Sequence, residues 1–86
     1  MSRQRRIEVI EQSDYVTIGE LVRLTDVRYS TLKHYTEEGL IPYEQSESNL
    51  TRRYKRIESL ERINEIRNLR KQKKSILEIK KLLLDD

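Results

Sequence analysis

The chain has no cysteine, no tryptophan and no phenylalanine, and it holds one histidine, one proline and two glycines. Each shortage excludes something. Without cysteine there is no disulfide, no thiol nucleophile and no cysteine-ligated zinc, a composition suited to a reducing cytoplasm. With His34 as the only histidine, a histidine-rich metal site is excluded as well. Gly19 and Gly39 are too few and too far apart to form a phosphate-cradling loop. No apolar run approaches the roughly 20 residues that span a bilayer. Arg3, Arg5 and Arg6 are followed by no apolar stretch of the kind a secretory signal needs. The acid pairs Glu37–Glu38 and Asp85–Asp86 are sequence neighbours that suit helix ends rather than general acid–base chemistry. The sequence therefore points away from an enzyme, from a bound cofactor or metal, and from the membrane.

What the chain does have is charge and helical periodicity. Its 86 residues make one domain near the lower end of what folds alone. Hydrophobic residues make up 35% and charged residues 38%, too polar a mixture for a core and a deep cleft together. Ile, Leu and Val nevertheless recur at helical spacing, which separates the chain from a disordered one. The net charge is a modest +3, so its distribution matters more. Arg52, Arg53, Lys55 and Arg56 surround Tyr54 with no acid among them. A second cluster holds Arg67, Arg70, Lys71, Lys73 and Lys74. Clustered cations suit a polyanion such as double-stranded DNA. The second cluster reads equally well as a solvated helix face.

The spacing of apolar residues divides the chain. Residues 1–14 form a basic N-terminal arm or short helix, and residues 15–86 form the domain proper. A leading helix is predicted over 3–12, with Ile7 and Ile10 on one side, ending at Asp14 and Tyr15. Arg3, Arg5 and Arg6 read as a frayed basic terminus in preference to a DNA-binding arm. Thr17 followed by Glu20 is a capping box opening a helix over 18–25. A turn at Asp26–Tyr29 leads to a second helix over Ser30–Glu38, with Leu32 and Tyr35 inward. Gly39 supplies the positive φ that ends it, and Leu40-Ile41-Pro42 leaves in extended form. Leu40–Tyr43 and Arg52–Lys55 are predicted to pair as a two-stranded wing, with a polar tip at residues 44–51. Ile57, Leu60, Ile63, Ile66 and Leu69 mark a third helix over 57–72. Ser75 and Glu78 form a second capping box that opens the last helix, with Ile76, Ile79, Leu82 and Leu83 apolar. The fold class is mainly α: a winged helix-turn-helix with a two-stranded β wing. In that architecture the second helix enters the major groove and the wing lays cations along the neighbouring backbone.

The residues resemble those of MerR-type regulators. Val16-Thr17-Ile18-Gly19-Glu20-Leu21 is similar to the family's opening, and Thr31-Leu32-Lys33-His34-Tyr35 to its TLRYY recognition helix. Glu37-Glu38-Gly39-Leu40-Ile41-Pro42 resembles the turn that follows, Arg52-Arg53-Tyr54 the wing, and Ser75-Ile76-Leu77-Glu78-Ile79 the closing helix. The resemblance covers roughly residues 15–84. It implies Ser30, Lys33 and His34 on the groove side of the recognition helix and Arg52 on the backbone. Tyr29 is placed to touch a phosphate or a thymine methyl, and Arg53, Tyr54 and Lys55 complete the basic wing. Tyr35 is read as core. Tyr54 is read as packing the wing against the body, with its hydroxyl near a phosphate. The departures are specific. Arg28 stands where the family has a Ser or Thr cap, so either Ser30 caps a later start or Arg28 itself contacts DNA. Leu50 replaces a wing-tip glycine, one extra residue lies between Tyr54 and Leu60, and Lys73 or Lys74 replaces a glycine between the last two helices.

Full-length activators of this kind continue into a long dimerising helix and an effector domain, to which nothing here corresponds. The expectation is a bacterial, cytoplasmic, nucleoid-associated regulator, a repressor in preference to an activator. It self-associates on DNA as a dimer or a cooperative array. An excisionase-like or partition factor of a mobile element is the alternative within DNA binding. A protein-interaction module using the apolar C-terminal residues is the alternative outside it.

Overall fold

The computed structural model describes residues 4–45 and 51–84. Leu50 and the polar tip residues Ser46, Ser48 and Asn49 lie outside the described residues, as do Arg3 and the Asp85–Asp86 pair. The elements run α1 (Ile7–Ile10), β1 (Tyr15–Val16), α2 (Ile18–Thr25), α3 (Tyr29–Glu37), β2 (Tyr54–Lys55), α4 (Arg56–Lys71) and α5 (Ile76–Leu84). The fold is mainly helical with a small antiparallel sheet, in keeping with a winged helix-turn-helix. None of the helices among the described residues is long and apolar enough to cross a membrane.

Both capping boxes form. Thr17 Oγ1 accepts from the Glu20 amide at 3.2 Å, and the Glu20 carboxylate accepts from the Thr17 amide at 2.9 Å. Ser75 and Glu78 repeat the exchange at 3.2 and 3.0 Å. Each pair satisfies two N–H groups that a helix start leaves without partners. The ends of α3 and α4 share one device. The amide of Gly39 bonds to the Thr36 carbonyl and that of Leu40 to the Tyr35 carbonyl. At the end of α4, Lys73 and Lys74 donate in the same way to Arg70 and Leu69. Both are Schellman motifs, and both need a left-handed residue. Gly39 takes it at φ 78° without strain. Lys73 takes it at φ 65° and carries about 1 kcal/mol of cost that glycine would lack.

One core holds these elements together. Leu21 of α2, Leu32 and Tyr35 of α3, Tyr54 of β2, Ile63 and Ile66 of α4 and Ile79 of α5 are all buried in it. Ile10 of the leading helix joins them with no exposed surface. The leading helix is shorter than predicted, a single turn, and Tyr15 belongs to a strand rather than to its end.

Two further expectations are corrected. The ladder does not join Leu40–Tyr43 to Arg52–Lys55. It joins β1 to β2, antiparallel, with Tyr15 opposite Lys55 and Val16 opposite Tyr54. Among the described residues the two arms of the wing meet at one bridge, where Glu44 and Arg53 exchange backbone bonds of 2.7 and 2.8 Å. The cause lies in the preceding turn: Leu40 is tied to α3, Leu40 and Ile41 are buried in the core, and Pro42 offers no N–H. In α4, Ile57 is 59% exposed whereas Ser59 is buried. A spacing of three drifts about 60° per step on a helix of 3.6 residues per turn. Across the six residues from Ile63 back to Ile57, that drift carries Ile57 off the core side.

Glu20 is the most heavily bonded acid among the described residues. Besides capping α2, it accepts two bonds from the Arg5 guanidinium, at 2.7 and 2.8 Å. These bonds first, and the Thr17 amide after them, hold its carboxyl below the ordinary value of 4.5, against the opposing effect of burial. Glu78 is lowered in the same direction, chiefly by the Ser75 amide. A carboxylate depressed in the folded state contributes stability in full above its unfolded value, and loses it as pH falls through the folded one. Thermal melts are therefore expected to be flat from neutrality to about pH 5 and to decline below 4.5. Glu20→Gln should melt lower at neutral pH and lose less on acidification. Parallel acid slopes for both proteins would remove Glu20 from this account.

Candidate nucleic-acid interface

Helix α3 begins at Tyr29, one residue earlier than predicted, with Arg28 at the N-cap in extended conformation. Ser30 therefore lies inside the first turn and does not cap a later start. Arg28 makes no side-chain cap bond either, so among the described residues no side chain caps this end of α3. The Thr31 amide turns back to the Arg28 carbonyl at 3.1 Å, which leaves the first two N–H groups for solvent or an anion, and the helix dipole favours the latter.

Leu32, Tyr35 and Thr36 are buried, while Ser30, Lys33, His34 and Glu37 are exposed. At 100° per residue these two sets fall on opposite sides of α3, so packing of the first presents the second outward. Tyr29, at the helix start, is 54% exposed. All five residues expected near the groove from this segment, Arg28, Tyr29, Ser30, Lys33 and His34, are thus accessible. Glu37 was not anticipated. Its carboxylate repels phosphates and is able to accept from the amino group of a cytosine.

The wing cations divide. Tyr54 has no exposed surface, and its hydroxyl meets Thr36 Oγ1 at 3.0 Å. This is the packing role foreseen for it, and the accompanying expectation of a DNA contact is corrected: the hydroxyl is consumed inside the core. Arg52 lies just ahead of β2, two residues from Tyr54, a spacing that puts the two on one side of the extended segment. There its guanidinium lies 4.6 Å from the centre of the Tyr43 ring, which itself packs 6.1 Å from the Tyr54 ring. A cation–π contact of this kind restrains a long side chain without neutralising it. Arg53 and Lys55 point to the other side, among Tyr15, Glu44 and Glu58, with Lys55 Nζ 3.9 Å from the Glu58 carboxylate. The structure therefore sets Arg52 over the Tyr43 ring and leaves Arg53 and Lys55 on the side of Tyr15, Glu44 and Glu58.

The second basic cluster is also nearer than its sequence position suggests. Arg70 lines a surface hollow with Ser30, Thr31, His34 and Ile76. Its guanidinium donates to the Lys74 carbonyl at 3.2 Å, and Arg67 donates to the Thr25 carbonyl, also at 3.2 Å, just ahead of α3. A run of cations 30 residues downstream carries no local signal of this proximity. Only the packing of α4 and α5 beside α3 creates it.

Residues 16–86 match the family described as MerR HTH family regulatory protein. No curated protein and no solved structure matches the chain. The family match begins within β1 and takes in the helix-turn-helix, the wing and both closing helices. The chain belongs to the MerR family of helix-turn-helix DNA-binding regulators.

Proposed function

We propose that the chain binds specific duplex sites through α3 in the major groove, with Arg52 on the adjoining backbone, and represses transcription by occupying them. The observation that carries this reading is the outward stripe Ser30–Lys33–His34, held in register by the buried Leu32, Tyr35 and Thr36 and bonded through Thr36 to the wing. Lys33 and His34 are the base readers. Arg28, the open start of α3, Arg52 and Arg70 are the phosphate contacts. Repression by occupancy asks nothing more of the protein than this surface. Self-association on longer DNA, and action at the nucleoid of a bacterial cytoplasm, belong to the same proposal.

The test is a titration of the purified chain against short duplexes at several salt concentrations. Four phosphate contacts are expected to give a log–log slope of about −3.6. A folded sample that binds no duplex at low salt would sink the reading. That outcome would favour protein interaction instead, for which Leu77 and Leu82, 63% and 58% exposed on α5, are the main support. Ile79 is buried and Ile76 and Leu83 are half-buried, so the anticipated partner surface is mostly core.

A further inference from the structure

Residues 4–15 precede the family match, yet they are fastened to both halves of the reading surface. One set of contacts grips the helix-turn-helix. The Arg5 guanidinium forks onto Glu20 of α2 at 2.7 and 2.8 Å, Arg23 of α2 donates to the Arg5 carbonyl, and Ile10 is sealed in the core. A second set grips the base of the wing. Arg56 donates from its side chain to the Ser13 carbonyl at 2.7 Å and from its amide to the Asp14 carbonyl at 2.9 Å. β1 pairs with β2, and Arg5 also donates to the Tyr15 carbonyl at 3.2 Å. Beyond β2, the Tyr15 side chain lines one hollow with Glu44 on the other arm of the wing, and that carboxylate raises the phenol above its ordinary value of 10.0.

The wing needs such support. Its own arms meet at a single bridge among the described residues, and an isolated two-stranded hairpin is at best marginal in water. A misplacement of about 1 Å is enough to lose a charge-assisted contact, whose useful range is narrow. The position of Arg52 relative to α3 thus depends on what is packed along the outer edge of β2.

We propose that Arg5 and Tyr15 are positioning residues for DNA binding: the segment they anchor braces the wing, fixing where Arg52 meets the backbone relative to α3. This rests on the DNA-binding reading above. Neither residue touches DNA. Their loss frees the wing while α3 stays in its groove, so phosphate contacts weaken and base preference survives.

The experiment uses the full chain with Arg5→Ala and Tyr15→Phe, at a temperature where melts show each variant folded. Affinity is measured against salt on a selected duplex and on a scrambled one. The wild-type titration comes first, and absence of binding there defeats the DNA reading and the brace together. Given wild-type binding, Arg5→Ala is expected to bind about tenfold more weakly on both duplexes, with a slope shallower by about 0.9 for the lost contact. Tyr15→Phe should shift both quantities in the same direction by a smaller amount. Tyr15→Phe also decides the matter if Arg5→Ala fails to fold, because it removes only a hydroxyl. Unchanged affinity and slope in a folded variant overturn the brace. So does a lost preference for the selected duplex with the slope intact, since that would mean the segment positions α3 instead.

Discussion

Tyr54→Ala is expected to remove a large share of the protein's stability, about 3–5 kcal/mol. The ring is fully buried at the junction of α3, the wing and the core, with Tyr43 packed beside it. Truncating a large buried aromatic costs about 3–5 kcal/mol, part of it transfer and part the cavity left behind. A domain of this length holds only about 4–13 kcal/mol in all, so the loss takes a large share of the total. Tyr54→Phe separates the ring from its hydroxyl. Thr36 Oγ1 keeps a second partner, the Leu32 carbonyl at 2.9 Å, so it is not stranded when the phenol goes. That variant should lose only about 1 kcal/mol. Urea denaturation of the three proteins decides between the effects. Equal losses for Phe and Ala would mean that the hydroxyl pair, not the buried ring, holds the wing to α3.

Lys33→Ala and Arg52→Ala should both weaken DNA binding, and in different ways. Lys33 lies on the exposed stripe of α3, where a long cation reaches guanine acceptors in the major groove. Its removal is expected to cost about 1–3 kcal/mol, roughly ten- to a hundredfold, on the preferred site and much less on a scrambled one. Arg52 is steadied over Tyr43 and serves a phosphate in the proposed complex. Its removal should weaken binding on every sequence alike and reduce the salt slope by about one contact. Affinity measured for each variant on both duplexes, across salt, gives four slopes. A preference altered by Arg52→Ala and spared by Lys33→Ala would reverse the two roles. Both side chains contribute little to the core, so melting temperatures are expected to stay near the wild-type value.

Much of this molecule was legible in its sequence because its signals are local. The capping pairs Thr17–Glu20 and Ser75–Glu78 fixed where α2 and α5 begin, and Gly39 fixed where α3 ends. Buried Leu32 and Tyr35 followed from their spacing, and with them the outward placement of Lys33 and His34. The unread parts are those that local pattern does not carry. β1 is two residues long, too short to show alternation, and its partner lies nearly 40 residues away. Arg5 reads as one basic residue among three near a terminus, and nothing adjacent announces Glu20 as its partner. Arg52 and Arg53 are chemically alike, and only the direction in which Tyr54 is buried tells which of them lies over Tyr43. Arg70 reads as part of a solvated surface because its neighbour Ser30 is brought to it by packing alone.

Glu20 joins these two levels in one carboxylate. Its oxygens answer the Thr17 amide three residues back and the Arg5 fork fifteen residues back. The first bond is local and belongs to the helix start itself, and the second requires the chain ahead of α2 to be packed against it. Because the same rotamer serves both, the local preference of the helix start never competes with the long-range contact. Sequences in which short-range and long-range choices agree have smoother landscapes with fewer trapped states. In the folded domain the carboxylate that caps α2 is thus already turned to the Arg5 fork, and the leading segment docks on a group that the helix start holds in place.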